Sequence, residues 1–308
     1  MSDEGVTPEE AAGAAGFRCG FAALVGRPNV GKSTLLNALV GQKLSIVTPR
    51  PQTTRHRVLG IVNLPQAQIA FVDTPGLHNN GRRAMNHAMN RAASAAALDA
   101  DVVVLVVEAL KWTREDSLAL QRAAAAERPI IAVVNKMDTV KPRERAMGYV
   151  QELAQRHAFA HVVPLSALKV DNVDTLLKLI TERLPESVAL YPPDQLTDRG
   201  SAFRIAEVIR EKLTLELKEE VPYGIAVEIE SMEEEDGQIV VNATIWVDRD
   251  GQKPIIIGAK GERLKRVGTL ARRELNDALQ QRLHLVLFVK VREGWADSAQ
   301  ALRQLGME

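Results

Sequence analysis

The nine residues Gly26–Thr34, GRPNVGKST, restrict the fold more than any other part of the chain. Two glycines separated by four residues, then Lys32 and Ser33, form the phosphate-loop pattern G-x-x-x-x-G-K-[ST]. The pattern works only between a buried strand and a helix, because it aims backbone N–H groups and a helix N-terminus at one point. Phe21–Val25 is a short apolar run before it, and Thr34–Val40 carries helical spacing behind it. The loop is therefore predicted at the C-terminal end of a strand.

The pattern continues along the chain. Gln68–Asp73, Asp101–Val107, Ile130–Asn135 and His161–Leu165 are short β-branched runs of the kind that suits strands covered on both faces. Helix-like stretches lie between them: Arg83–Leu98, Arg114–Glu127, Arg143–His157 and Asn172–Arg183. This alternation predicts an α/β domain, a mostly parallel sheet with helices on both faces. Pro185, Pro192 and Pro193 then mark an aperiodic linker. Beyond it the order becomes helix, two strands joined by the acidic EEEDG turn, a short apolar run, a long helix and a last strand. The boundaries expected are a tail over 1–16, a first domain over 17–185, a linker over 186–200 and a smaller α+β domain over 201–308. A chain of 308 residues suits two domains of ordinary size.

The single Cys19 excludes an intramolecular disulfide framework and fits a reducing, cytoplasmic setting. No stretch is long and apolar enough to span a bilayer, and the acidic first residues are unlike a secretory signal. Peripheral membrane contact stays open. Net charge is zero, so any nucleic-acid surface must be local.

Each strand end carries chemistry. Lys32 would reach the β- and γ-phosphates, and the Ser33 hydroxyl would ligate Mg²⁺. Asp73, in Asp73-Thr74-Pro75-Gly76, stands where a carboxylate holds the Mg²⁺ shell, and Gly76 offers a backbone N–H to the γ-phosphate. Asn135-Lys136-Met137-Asp138 selects the base. An Asp carboxylate accepts from guanine N1–H and N2–H₂ together, donors that adenine lacks, and unpaired polar groups then reject the wrong base by about 10⁴–10⁵. Ser166-Ala167-Leu168 follows another strand, with the Ala167 N–H expected to face guanine O6. The ligands indicated are GTP and GDP with Mg²⁺.

These motifs resemble the translation-factor-like P-loop GTPases. The resemblance implies a Thr in a mobile loop that senses the γ-phosphate and completes the Mg²⁺ shell. IVTPRPQTTRHR is that loop, and its pattern favours Thr54 over Thr53. Lys32, Thr54 and Gly76 are then the catalytic set, with Mg²⁺ on Ser33, Thr54 and Asp73. The GTP contacts are Gly26, Arg27, Pro28, Asn29, Val30, Gly31, Lys32, Ser33 and Thr34; Asp73, Thr74, Pro75, Gly76 and Leu77; Asn135, Lys136, Met137 and Asp138; and Ser166, Ala167 and Leu168. Leu77 occupies the position where many signalling GTPases carry a water-orienting Gln, which implies slow hydrolysis or outside help. Asn29 matches the Asn that in related GTPases ligates K⁺ at the phosphates; a plain loop-stabilising role is equally open.

In the second half charge is segregated: residues 211–250 hold twelve Asp or Glu against three Lys or Arg, and residues 251–295 hold four against ten. The basic part centres on Gly258-Ala259-Lys260-Gly261, a G-x-x-G between a short and a long helix, the arrangement by which KH domains clamp single-stranded nucleotides. The α-β-β-α-α-β order is that of the type II KH fold. Lys253, Gly258, Ala259, Lys260, Gly261, Arg263, Lys265 and Arg266 are the candidate RNA contacts. Trp295 lines that groove or belongs to the core.

GRPNVGKS, QTTRHR, DTPGLH, NKMD, IIGAKGERLK and VKVREGWAD together resemble the Era GTPases of bacteria. That resemblance implies a GTP-hydrolysing switch whose KH domain binds the 3′ end of 16S rRNA; a monomer is expected. It also implies a role in 30S subunit assembly and rRNA maturation, and peripheral membrane association. Two other readings stay open: a P-loop ATP enzyme, which Asn135–Asp138 opposes, and a GTPase whose C-terminal domain is a protein or membrane module, which Gly258–Gly261 opposes.

Overall fold

The computed structural model describes residues 16–76, 84–142, 144–217, 224–235 and 237–307. The expected tail and Leu77 lie outside these, apart from Gly16. The described chain divides into two compact units. The first takes 16–45, 54–76, 89–142 and 144–198; the second takes 46–53, 84–88, 199–217, 224–235 and 237–307.

The elements run β1 (Arg18–Val25), α1 (Lys32–Val40), β2 (Val58–Leu64), β3 (Ala67–Asp73), α2 (Ala84–Asp99), β4 (Val102–Glu108), α3 (Arg114–Ala124), β5 (Ile130–Asn135), α4 (Glu144–Ala154), β6 (His161–Pro164) and α5 (Val173–Thr181). The six strands form one sheet in the order β2-β3-β1-β4-β5-β6. Only the β2–β3 pair is antiparallel. β3 and β5 are buried from end to end and β4 as far as Glu108, as expected of parallel strands covered on both sides. Because β1, β3, β4 and β5 run the same way, their C-terminal ends open at one edge, where α/β sheets place their ligands.

In the first unit, β2 is the strand that the sequence reading missed. Its V-L-G-I-V-N-L run is broken by Gly60, yet Leu64 and Ala67 already pair across a tight turn, a hairpin signature. Gly60 serves packing: a Cβ there would stand 2.6 Å from Leu36 Cδ1 and 2.8 Å from Val40 Cγ2, both on α1. The glycine lets α1 settle on the sheet.

Residues 186–198, expected to be linker, belong to the first unit. The Cys19 N–H donates to the Pro185 carbonyl (3.1 Å), Ser187 N–H to Phe17 (3.0 Å) and Ile61 N–H to Leu196 (2.9 Å). The buried amide of Gln68 explains much of this course. Its Oε1 accepts from the Leu190 and Tyr191 N–H groups (2.8 and 2.9 Å), and its Nε2 donates to the Tyr191 carbonyl (2.8 Å). A buried amide left unsatisfied would cost about 1–3 kcal/mol. The segment is a strap along the sheet.

The second unit contains α6 (Ser201–Glu216), β7 (Ile225–Glu235), β8 (Gln238–Val247), α7 (Gln252–Ile257), α8 (Glu262–Leu279), β9 (Leu283–Val291) and α9 (Ala299–Gln304). Its sheet order is β7-β8-β9, antiparallel then parallel, so the path from β8 to β9 must cross over through α7 and α8. Ile205, Ile209 and Leu213 on α6 and Val267, Ala271 and Leu275 on α8 recur every four residues, and all are buried in one cluster with alternate residues of β8. Glu233–Glu235, expected in a turn, extend β7 and pair with Val240, Ile239 and Gln238. Trp295 is core: it is wholly buried, and its Nε1–H donates to the Gly224 carbonyl at 3.2 Å.

Candidate active site and nucleic-acid-binding loop

Gly26 and Gly31 let the loop after β1 pass through spaces that no side chain could share. A Cβ on Gly26 would lie 2.4 Å from the Val106 carbonyl oxygen. Gly31 has φ +98°, and its Cβ would meet Asn135 Nδ2 at 2.3 Å. The loop ends by opening α1, with Lys32 as its first residue. The Lys32 side chain folds back so that Nζ donates to the carbonyls of Gly26 (2.9 Å) and Arg27 (3.1 Å). Burial lowers its pKa to about 8, against the opposing pull of Asp73. A desolvated ammonium in a curl of backbone N–H groups is a strong anion site.

Beside it, Ser33 Oγ lies 2.7 Å from both Thr54 Oγ1 and Asp73 Oδ2. Ser45, which no motif marks, adds its hydroxyl to Asp73 Oδ2 at 3.1 Å. Thr53 stays apart, its Oγ1 on Thr48 Oγ1 (2.6 Å) and the Arg50 carbonyl (2.7 Å). Asp73 is fully buried, and its Oδ1 has no hydrogen-bond partner among the described residues. Burial pushes the carboxyl up, while Lys32 and the hydroxyls of Ser33, Ser45 and Thr54 pull it down. An orphaned carboxylate oxygen beside two hydroxyls suits a hard divalent cation. No group of three or more His, Cys, Asp or Glu among the described residues could hold a metal alone. Mg²⁺ commonly takes one or two carboxylates plus ligand phosphates, and Asp73 supplies one carboxylate here. Gly76 lies against the phosphate loop, where a Cβ would come 2.8 Å from the Pro28 nitrogen.

Asn135 ties the loops together. Its Nδ2 donates to the Val30 carbonyl (2.8 Å), and its Oδ1 accepts from the Ala167 N–H (3.0 Å). The Ala167 N–H, expected to face guanine O6, is thus engaged by the buried Asn135 amide, whose oxygen needs a donor. Ser166 Oγ donates to Asp138 Oδ1 at 2.6 Å and orients that carboxylate. Leu168 is exposed.

The Arg27 side chain turns away from the Lys32 nest. Its Nη2 meets Glu108 Oε2 at 2.7 Å and its Nε meets Asp116 Oδ2 at 3.1 Å. Glu108 and Asp116 were missed by the sequence reading; the only local signal was the Thr113–Asp116 capping box that opens α3. Asn29 is exposed, with φ +63°.

In the second unit the G-x-x-G loop has the backbone such a clamp needs. Gly258 (φ 75°, ψ 175°) is in a region essentially reserved for glycine, and a Cβ there would stand 2.8 Å from Arg263 Cβ. Lys260 and Gly261 are left-handed, and Gly261 caps α8. Ala259, Lys260, Lys253, Lys265 and Arg266 are exposed. Two cations of the expected set have protein partners: Arg263 donates to the Ile255 carbonyl, and Arg266 pairs with Glu216.

Residues 21–136 match the model of the 50S ribosome-binding GTPase family, and residues 220–296 that of the KH domain. The chain is similar to the GTPase Era of Marinobacter nauticus, 49% identical over 94% of this chain and 95% of that protein. To the GTPase Era of Ectopseudomonas mendocina it is 50% identical over 94% and 97%. Two solved structures align with TM-score 0.92 at 40% identity, over 94% of this chain and 99% of theirs. One is a tyrosine-to-alanine variant of Aquifex aeolicus Era bound to GDP and AlF4⁻; the other is Era with MgGDPNP and nucleotides 1506–1542 of 16S ribosomal RNA. With a phosphate loop, a guanine-type motif and a G-x-x-G loop in one chain, and relatives at this identity over nearly all of it, the chain belongs to the Era family of GTPases.

Proposed function

We propose that this GTPase is a switch that binds the 3′ end of 16S rRNA through Gly258–Gly261 and acts in 30S subunit assembly and rRNA maturation. The backbone of that loop carries the reading: glycines at both ends let a sugar–phosphate chain approach, and exposed Lys253, Lys260 and Lys265 supply charge around it. The Era protein solved with a 16S rRNA fragment supports the choice of target. Substituting Asp for both Ala259 and Lys260 places two carboxylates in the path of the phosphates. Both positions are exposed, and Asp tolerates the left-handed backbone of Lys260, so the fold should persist. Titration with single-stranded RNA at several salt concentrations is expected to show a large loss of affinity. Its log–log salt slope should be shallower by about 0.7 for each phosphate contact removed. Unchanged affinity and slope would make Gly258–Gly261 a plain turn.

In the same reading Lys32, Thr54 and Gly76 act on the γ-phosphate, Ser33, Thr54 and Asp73 hold Mg²⁺, and Asp138 reads guanine. Bound Mg²⁺ would neutralise charge on the β- and γ-phosphates. Hydrolysis is slow, because Leu77 cannot orient water. Asn29 ligates a K⁺ ion that stands in for an arginine finger. Hydrolysis is therefore expected to run faster in K⁺ than in Na⁺ at equal ionic strength, with the difference lost in Asn29→Ala; equal rates in both salts would remove the ion. The protein works as a cytoplasmic monomer with peripheral membrane contact, the last of which rests on the family resemblance. No described helix is long and apolar enough to cross a membrane.

A further inference from the structure

We propose that Glu108 is a positioning residue for guanine-nucleotide binding: one carboxylate oxygen joins the phosphate loop to the base-reading loop through Arg27 and Lys136. The inference rests on the assignment of Gly26–Thr34 and Asn135–Asp138 to the nucleotide site. Glu108 Oε2 lies 2.7 Å from Arg27 Nη2 and 3.4 Å from Lys136 Nζ. Glu108 is the last residue of β4, in register with Asn135 on β5, and the next N–H, that of Ala109, donates to the Asn135 carbonyl at 2.9 Å. The carboxylate therefore projects from a rigid strand end that is fixed relative to one of the loops it holds.

Both cations sit where the backbone needs holding. Lys136 is left-handed, with φ +66°, a conformation that costs a non-glycine residue about 1–2 kcal/mol. Arg27 offers its carbonyl to the Lys32 ammonium, so a shift of Arg27 displaces the group expected on the phosphates. Burial alone would raise the Glu108 carboxyl, but the Arg27 hydrogen bond and the Lys136 charge hold it below the usual carboxylate range. Asn135 makes a second link between the same loops, through Val30. Glu108 supplies the charged one.

The division of labour on Arg27 makes the idea testable. Its Nε is held by Asp116, which is fully buried and itself fixed by the Thr113 N–H and hydroxyl, each at 2.8 Å. Glu108→Gln therefore leaves Arg27 with a counter-ion and an acceptor, and removes mainly the charge facing Lys136. Release of a fluorescent GDP derivative should accelerate about tenfold, equivalent to about 1.4 kcal/mol. The Michaelis constant for GTP should rise by a similar factor, while kcat changes less than about twofold. Lys136→Gln, at a half-exposed residue that leaves no buried charge behind, should give the same tenfold release. Adding Glu108→Gln to it should then do no more. An unchanged release rate in either single variant would overturn the proposal. So would full additivity in the double variant, because Glu108 would then be only a counter-ion for Arg27. A Glu108→Gln protein that melts earlier without nucleotide yet releases GDP at the native rate would overturn it as well. The nucleotide-site assignment fails separately, if Asp138→Asn leaves base preference unaltered.

Discussion

Asp138→Asn is expected to convert a guanine site into a xanthine site. Guanine presents two donors, N1–H and N2–H₂, to a carboxylate that can accept both. In the folded protein Asp138 Oδ1 is already anchored by the Ser166 hydroxyl at 2.6 Å, so the variant's carbonyl oxygen has a reason to stay there. The new NH₂ then replaces the other oxygen. Facing guanine, it sets donor against donor; facing xanthine, it meets the 2-oxo group as an acceptor. Sites that read a base by buried polar pairing discriminate by about 10⁴–10⁵. GTP affinity should therefore fall by roughly a thousandfold, about 4 kcal/mol, with xanthosine triphosphate rising above it. Competition titrations with GTP, XTP and ATP decide the matter. A variant that still prefers GTP would mean that Asp138 does not read the base.

Gly31→Ala is the second large effect, and it arises from geometry rather than ligand contact. Residue 31 has φ +98°, and its new methyl would stand 2.3 Å from Asn135 Nδ2. The left-handed backbone costs alanine about 1–2 kcal/mol. Asn135 cannot yield cheaply, since it is nearly buried and bridges the Val30 carbonyl and the Ala167 N–H. Losing those bonds leaves buried polar groups unsatisfied, at about 1–3 kcal/mol. Together these predict a loss of nucleotide affinity of about a hundredfold or more. Gly148→Ala is the natural control. It lies exposed within α4 with nothing inside 4 Å of its Cβ, so it should stabilise by about 0.4–1 kcal/mol and leave affinity alone. GDP affinity and the melting temperature, measured on both variants, separate the two cases. Equal affinities would show that the loop relaxes around the methyl.

Much of the site was legible because its residues are chosen for local reasons. A glycine forced by φ, a lysine that opens a helix, and an Asp or Asn at a strand end each announce themselves within a few positions. Such signals are what point to the phosphate loop, Asp73, Asn135–Asp138 and Gly258–Gly261 as candidates. Residues whose roles depend on distant partners gave no such sign. Gln68 reads as one polar residue in a strand until Leu190 and Tyr191 arrive on its amide. Ser45 is an ordinary loop serine until the fold sets it on Asp73. Arg27, read from its motif as a ligand contact, turns its side chain to Glu108 and Asp116 on other elements. Burial of charge decided that outcome: a guanidinium drawn into the sheet edge needs carboxylates, and the strand and helix on that side supply them.

The strap along β2 has a consequence for synthesis. β2 is an edge strand, and Leu196 takes one of its outward N–H groups, that of Ile61. Edge strands left open recruit other strands. As the chain emerges from the ribosome, the sheet and α5 can assemble while this edge is still uncovered, because residues 182–196 have yet to appear. At about 5–20 residues per second, that interval lasts roughly one to three seconds. During it the nascent chain offers Ile61 and its neighbours to any passing strand. The proline-marked stretch at the end of the first unit thus closes a co-translational window of mispairing.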